Sequence, residues 1–219
     1  MALSCIVFDC DGIILESVDA KTSAFARICN EIAPGLTQDF VTYTVLHGGV
    51  SRYEKFAWLF RQAFDRDILP AESKELGERF TRYSLEAVLA SPLVPGFEDV
   101  IARWRGRVPL YVASGTPQYE LDEVLRERGL APYFTGIYGT PPAKAALLLN
   151  AIRDCGAAPG ETVMIGDSKT DVDAAVIAGT LFYGRGDYFK DGPWPWGSDL
   201  TRLNAYLEEV AGTGKNTAS

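Results

Sequence analysis

Little in this chain would suit it to a nucleic acid or a bilayer. Of its 219 residues 21 are basic and 29 acidic, a net charge of −8; a dedicated nucleic-acid binder generally needs the opposite balance to displace counterions from phosphates. No run of 18 apolar residues occurs, so no helical membrane span is expected. The four cysteines, Cys5, Cys10, Cys29 and Cys155, form neither a compact framework nor a paired CxxC spacing. They read as free thiols in a reducing compartment. An apolar strand pattern begins almost at once, with no basic leader region, so a cytoplasmic protein is expected. Internal repeats and low-complexity segments are absent.

What is present is ordinary globular material: 47% hydrophobic residues, 23% charged, 21 glycines and 12 prolines. A chain of this size buries roughly 70% of the surface its unfolded form exposes, enough for a full core and a small second lobe. Charge is uneven. Residues 17–90 carry 10 acidic and 9 basic residues, the remainder 19 and 12, so the middle segment meets an anionic ligand more easily.

The run Ser4–Phe8 is continuously apolar, as in a central strand covered on both faces. Helical periodicity then predicts helices over 17–33, 37–46, 51–65 and 71–90, the third with Ser51 and Glu54 spaced as a capping box. Four helices without a strand predict a helical insertion with junctions near Glu16 and Ser91–Pro92. Beyond Pro95–Gly96 the pattern alternates. Helices are expected near 97–105, up to Arg128, and over 142–154, 168 onward and 199–210, with strands at 108–113, 136–138, 162–165 and 180–183. That alternation predicts an α/β fold with an open parallel sheet. Trp194–Pro195–Trp196 reads as an aromatic-packed loop, and Gly212–Ser219 as a frayed tail.

In such sheets the ligand crevice lies outside the carboxyl ends of the strands. Four polar clusters fall there: Asp9 and Asp11; Ser114 and Thr116; Lys144; Asp167 and Asp171. Asp9, Asp11 and Asp167 offer hard oxygen ligands suited to Mg2+ completed by water and a substrate phosphate. Lys144 opposes them with positive charge, and Ser114 with nearby backbone N–H groups can hold phosphoryl oxygens.

Asp9-Cys10-Asp11-Gly12, then Ser114, Lys144 and Gly166-Asp167-Ser168-Lys169-Thr170-Asp171, stand in the order of the haloacid dehalogenase-like phosphohydrolases, which this sequence resembles over essentially its whole length. The helical segment is similar to the inserted cap of the phosphoglycolate phosphatase and β-phosphoglucomutase branch. The resemblance implies a Rossmann-like parallel-sheet core, residues 1–16 and 91–219, with an α-helical cap over 17–90. It implies that Asp9 is the nucleophile forming an aspartyl-phosphate and Asp11 the acid/base, its backbone carbonyl also a Mg2+ ligand. Ser114 would hold a phosphoryl oxygen and Lys144 neutralise the transferring group. Asp167 would bind Mg2+, and Asp171 would act through water or by orienting the ligands. Gly12 and Gly115 join Ser114 and Lys144 as substrate-binding positions.

His47–Phe56 concentrates glycines, a hydroxyl, an aromatic and two cations at a helix entrance, where Arg52 and Lys55 either recognise an anionic or polyhydroxy leaving group or merely solvate the helix start. His47 either contacts substrate or bonds at a helix end. Strand alternation turns Cys10 away from Asp9 and Asp11, as a packed thiol. Glu16-Ser17 stands where many relatives have an aspartate before serine, and Lys144 lacks the commoner following proline. The expected function is a Mg2+-dependent phosphatase of a small phosphorylated metabolite, a sugar phosphate or phosphoglycolate-like acid. A phosphomutase and a noncatalytic phosphometabolite-binding module are the rivals; no nucleic-acid or membrane partner is expected.

Overall fold

The computed structural model describes residues 3–212. Six parallel strands form one sheet in the order β3-β2-β1-β4-β5-β6, with β1 Cys5–Phe8, β2 Leu110–Pro117, β3 Gly136–Thr140, β4 Thr162–Gly166, β5 Leu181–Arg185 and β6 Trp196–Gly197. All four residues of β1 are fully buried, which is why its sequence lacks alternation. The two-residue period nonetheless sorts them. Ile6 and Phe8 pack with Val112 and Ile165 on one face, while Cys5 and Val7 pack with Ala113 and Met164 on the other. The first face is covered by α5 Phe97–Trp104, α6 Gln118–Glu127 and α9 Leu203–Gly212, and the second by α7 Lys144–Cys155 and α8 Lys169–Ala178.

Between β1 and α5 lie α1 Val18–Ile32, α2 Thr37–Leu46, α3 Arg52–Phe64 and α4 Pro70–Ala90. Their apolar stripes meet in a separate cluster built on Phe25, whose ring lies 4.3 Å from Phe80 and 5.7 Å from both Phe40 and Phe56. Aromatic side chains remove the most apolar area per residue from water, which lets so short a helical segment own a core.

Several details differ from expectation. The spacing at Ser51 and Glu54 does not produce a capping box: Ser51 occupies the N-cap position, but its hydroxyl makes no cap bond. The reciprocal arrangement occurs instead at Ser168 and Asp171 of α8. β2 starts two residues later than the apolar run and continues through Ser114-Gly115-Thr116-Pro117, where its pairing with β3 shifts register. β5 extends to Arg185 because Gly184 and Arg185 pair with Trp196 and Gly197. The aromatic segment therefore carries an edge strand, while Trp194 packs edge-on to Phe182 at 5.7 Å. The last helix begins at Leu203 rather than 199, and the expected fraying of 213–219 lies outside the described residues. No described helix is long and apolar enough to cross a membrane.

Candidate active site

The strand order reverses at β1, whose neighbours are β2 and β4. Such a switch opens a crevice at the carboxyl ends of the strands. Asp9 leaves β1 into it and Asp167 leaves β4 into it. Carboxylate oxygens of Asp9, Asp167 and Asp171 all lie within 4.8 Å of one another.

Asp9 is buried, its Oδ1 accepting the Cys10 backbone N–H at 2.7 Å and its Oδ2 lying 2.9 Å from Lys144 Nζ. Lys144, first residue of α7, also donates to Asp171 Oδ1 at 2.6 Å. Asp171 Oδ2 in turn accepts from the Ser168 backbone N–H at 3.0 Å and the Ser168 hydroxyl at 2.5 Å. Asp167 differs: among the described residues its carboxylate has no hydrogen-bond or ion-pair partner. Burial, reinforced by Asp171 and Asp9, holds its pKa well above the usual carboxylate range. Burial likewise raises Asp9 to about 7, with Lys144 opposing and Asp171 and Asp11 adding to the rise. Asp171 and Asp9 draw the Lys144 ammonium upward against its own burial. Three clustered carboxylates facing one ammonium, with one unpartnered, are a donor set that fits a hard divalent cation.

Asp11 stands apart from this cluster. Its Oδ1 accepts from Ser17 Oγ at 2.5 Å, and its Oδ2 from Lys21 Nζ at 2.5 Å and Thr116 Oγ1 at 3.0 Å. Burial opposes ionisation, yet Lys21 and the two hydroxyls outweigh it and leave the Asp11 carboxyl below its ordinary value. Ser114 is buried beside it, its Oγ accepting the Thr116 backbone N–H at 3.2 Å. Gly12 has φ +76°, and a Cβ there would land on the Asp167 carboxylate.

The helical segment closes over these groups. The Thr170 hydroxyl donates to the Gly48 carbonyl at 2.6 Å, and a Cβ on Gly115 would collide with the Gly49 carbonyl. Between the two halves lies a cavity of about 370 Å3 lined by Asp9, Asp11, Ser114, Asp167 and, from the helices, Lys21, Arg52 and Lys55. Arg52 lines this cavity but is not a solvated charge at the helix start. It donates to Thr81 Oγ1 and Glu120 Oε1, both at 2.8 Å, and lies 2.7 Å from Glu120 Oε2, with both charged side chains almost wholly buried. His47 is exposed and bonds through Nδ1 with the Tyr43 carbonyl at 2.8 Å, the helix-end alternative. Cys10 is buried among Phe8, Ile13 and Ile14 as a packed thiol. Arg185 of β5 grips the entry to the helices, lying 2.6 Å and 3.0 Å from the Glu16 carboxylate and donating to the Gly12 carbonyl at 2.9 Å.

Lys21 and Glu120 were not singled out by the sequence reasoning. Ser17 and Lys21 are four apart, hence on one face of the first turns of α1, and a cation at a helix N-terminus opposes the helix dipole. That unfavourable placement was the available signal of a nearby anion. Glu120 gave none, since an acidic residue in a first turn is unremarkable.

A family model described as haloacid dehalogenase-like hydrolase matches residues 3–179. The chain belongs to that family. Fructose-1-phosphate phosphatase YqaB of Escherichia coli (strain K12) is 28% identical over 185 residues, 80% of this chain and 92% of that protein. A phosphoglycolate phosphatase of Vibrio vulnificus (strain YJ016) is 28% identical over 189 residues, 82% of each. Among solved structures, β-phosphoglucomutase from Clostridium difficile superposes with a TM-score of 0.81 at 16% identity, covering 98% of this chain and 99% of that one; at that identity the likeness speaks for the fold alone. Family membership and the aspartate cluster together make this chain a hydrolase with a site suited to phosphoric monoesters.

Proposed function

We propose that the protein is a Mg2+-dependent phosphatase that hydrolyses a small phosphorylated metabolite through an aspartyl-phosphate on Asp9. The observation that carries this reading is the pairing of a buried carboxylate, bonded to Lys144 and a backbone N–H, with an unpartnered carboxylate on Asp167 in the same cluster. Asp9, Asp167 and the Asp11 backbone carbonyl would hold Mg2+, with Asp171 steadied by Lys144 and Ser168. The cation supplies positive charge that keeps Asp9 ionised and offsets the substrate's phosphate.

A carboxylate oxygen of Asp9 attacks phosphorus as the ester P–O bond breaks, and the leaving oxygen takes a proton from Asp11. Asp11 then removes a proton from water, whose oxygen attacks phosphorus; the P–O bond to Asp9 breaks, releasing inorganic phosphate. The first half needs Asp11 to enter carrying a proton, which it regains from water in the second half; Lys21, Ser17 and Thr116 stabilise the ionised form that accepts that proton. Ser114 and the backbone around Gly12 and Gly115 cradle phosphoryl oxygens, and Lys144 balances charge on the nucleophile.

We read residues 1–16 and 91–219 as the core and 17–90 as a cap governing the leaving group, in a protein whose four free cysteines suit the cytoplasm. Hydrolysis is favoured over mutase chemistry by Arg52: a mutase must grip a second phosphate, and the guanidinium in the cavity is already neutralised by Glu120. A phosphate-release panel of phosphorylated acids, sugars and nucleotides, with Mg2+ or chelator, tests the proposal. Release should require Mg2+ and vanish in Asp9→Asn. Turnover surviving in that variant would defeat the covalent route, and isomer formation with little phosphate would establish the mutase.

A further inference from the structure

The cations in and beside the cavity nearly all have carboxylate partners. Lys144 faces Asp9 and Asp171, Lys21 faces Asp11, Arg52 faces Glu120, and Lys169 faces Asp173. Lys55, the fourth residue of α3 and in its first turn, does not. It is 6% exposed, lines the cavity, and donates only to the Thr44 backbone carbonyl at 3.2 Å, with the Phe25 ring centroid 5.0 Å from its Nζ. No carboxylate among the described residues pairs with it. An ammonium held away from water without a counter-charge is unfavourable, and a ligand anion seated beside it removes that penalty.

We infer that Lys55 selects a leaving group carrying one negative charge, so that the substrate is the phosphate monoester of a small hydroxy acid; this deepens the phosphatase reading above and rests on it. A single unbalanced ammonium matches a carboxylate. A second phosphate, carrying close to two charges at neutral pH, would find no other free cation, because the Arg52 fork is closed on Glu120. An uncharged sugar would leave Lys55 without a counter-ion. The ammonium's behaviour agrees with such a role: burial, then the nearby charges of Lys21, Arg52 and Lys144 against the opposing Asp11, bring it down to about 8. At neutral pH it is still protonated, and a bound carboxylate would hold it so.

The test uses phosphate monoesters of ω-hydroxy acids two to five carbons long and their carboxamides, which match in size and lack the charge. Binding is measured by calorimetry with Mg2+ in Asp9→Asn, and turnover by phosphate release in the native enzyme. At the best chain length the acid should bind at least about tenfold more tightly than its amide, the effect of one charge-assisted hydrogen bond. Lys55→Met should bring that ratio close to one, and Lys55→Arg should restore most of it. Equal binding of acid and amide at every length, or a preference unchanged by Lys55→Met, overturns the inference. Should Lys55→Met fail to fold, the acid/amide ratio in Asp9→Asn alone decides. A preserved binding ratio with no phosphate released from either compound would instead sink the phosphatase reading and leave charge selection by Lys55 standing.

Discussion

Glu120→Ala is the most informative single perturbation of this fold. It would strand the Arg52 guanidinium, 5% exposed and stacked 4.3 Å from the Phe80 ring centroid, with only the Thr81 hydroxyl as partner. Removing one member of a buried ion pair leaves an uncompensated charge and destabilises by about 3–5 kcal/mol, whereas an exposed pair is worth about 0–1 kcal/mol. For a chain of this length each kcal/mol shifts Tm by about 2–4 °C, so the variant should melt about 6–20 °C lower. Replacing both partners with apolar residues of similar volume, Arg52→Met with Glu120→Leu, should recover most of the loss, because the desolvation penalty disappears with the charges. Urea unfolding of the native protein, Arg52→Met, Glu120→Leu and the double variant measures the coupling. A single-variant loss below about 1 kcal/mol, or a double-variant loss equal to the sum of the singles, would refute the assignment of this pair as a buried, mutually dependent contact.

Cation binding should be read most strongly at alkaline pH. Asp9 folds with its carboxyl raised to about 7 from about 3.9 in the unfolded chain, so without metal the native state holds the proton more tightly and loses stability as pH rises from about 4 to 7. Since a divalent cation needs that carboxylate ionised, 10 mM Mg2+ should raise Tm clearly more at pH 8 than at pH 5.5; equal shifts would speak against Asp9 as a ligand. Lys21→Met removes the ammonium that leads in lowering the Asp11 carboxyl. The alkaline limb of the kcat/KM profile for phosphate release, which Asp11 would set as the acid of the first half, should therefore move to higher pH, and an unmoved limb would deny Lys21 any part in setting that acid.

The core of this reading was legible because its signals are local. Asp9 and Asp11 follow a fully apolar strand, Asp167 follows another, and parallel strands deliver their ends to one edge without any knowledge of distances. The contact between Arg52 and Glu120 was not legible, since 68 residues separate them and each looks like an ordinary solvated helix charge. Burial set Arg52 in an internal pair rather than a solvated helix start, and left Lys55, two residues after Ser51-Arg52-Tyr53, as a cavity-lining cation without a carboxylate partner among the described residues. The end of β5 was misplaced for a related reason: two residues of edge strand at Trp196–Gly197 are too few to show a period.

Arg185 anchors the crossing into the helices on the core side, through Glu16 and the Gly12 carbonyl. The next residue, Ser17, and one turn later Lys21 both end on the Asp11 carboxylate. A displacement of α1 from the core would carry Ser17 and Lys21 off the Asp11 carboxylate and leave Thr116 bonded to it. Displacing α1 would therefore cost the proposed base two of its three hydrogen-bond donors as well as the cover over the crevice.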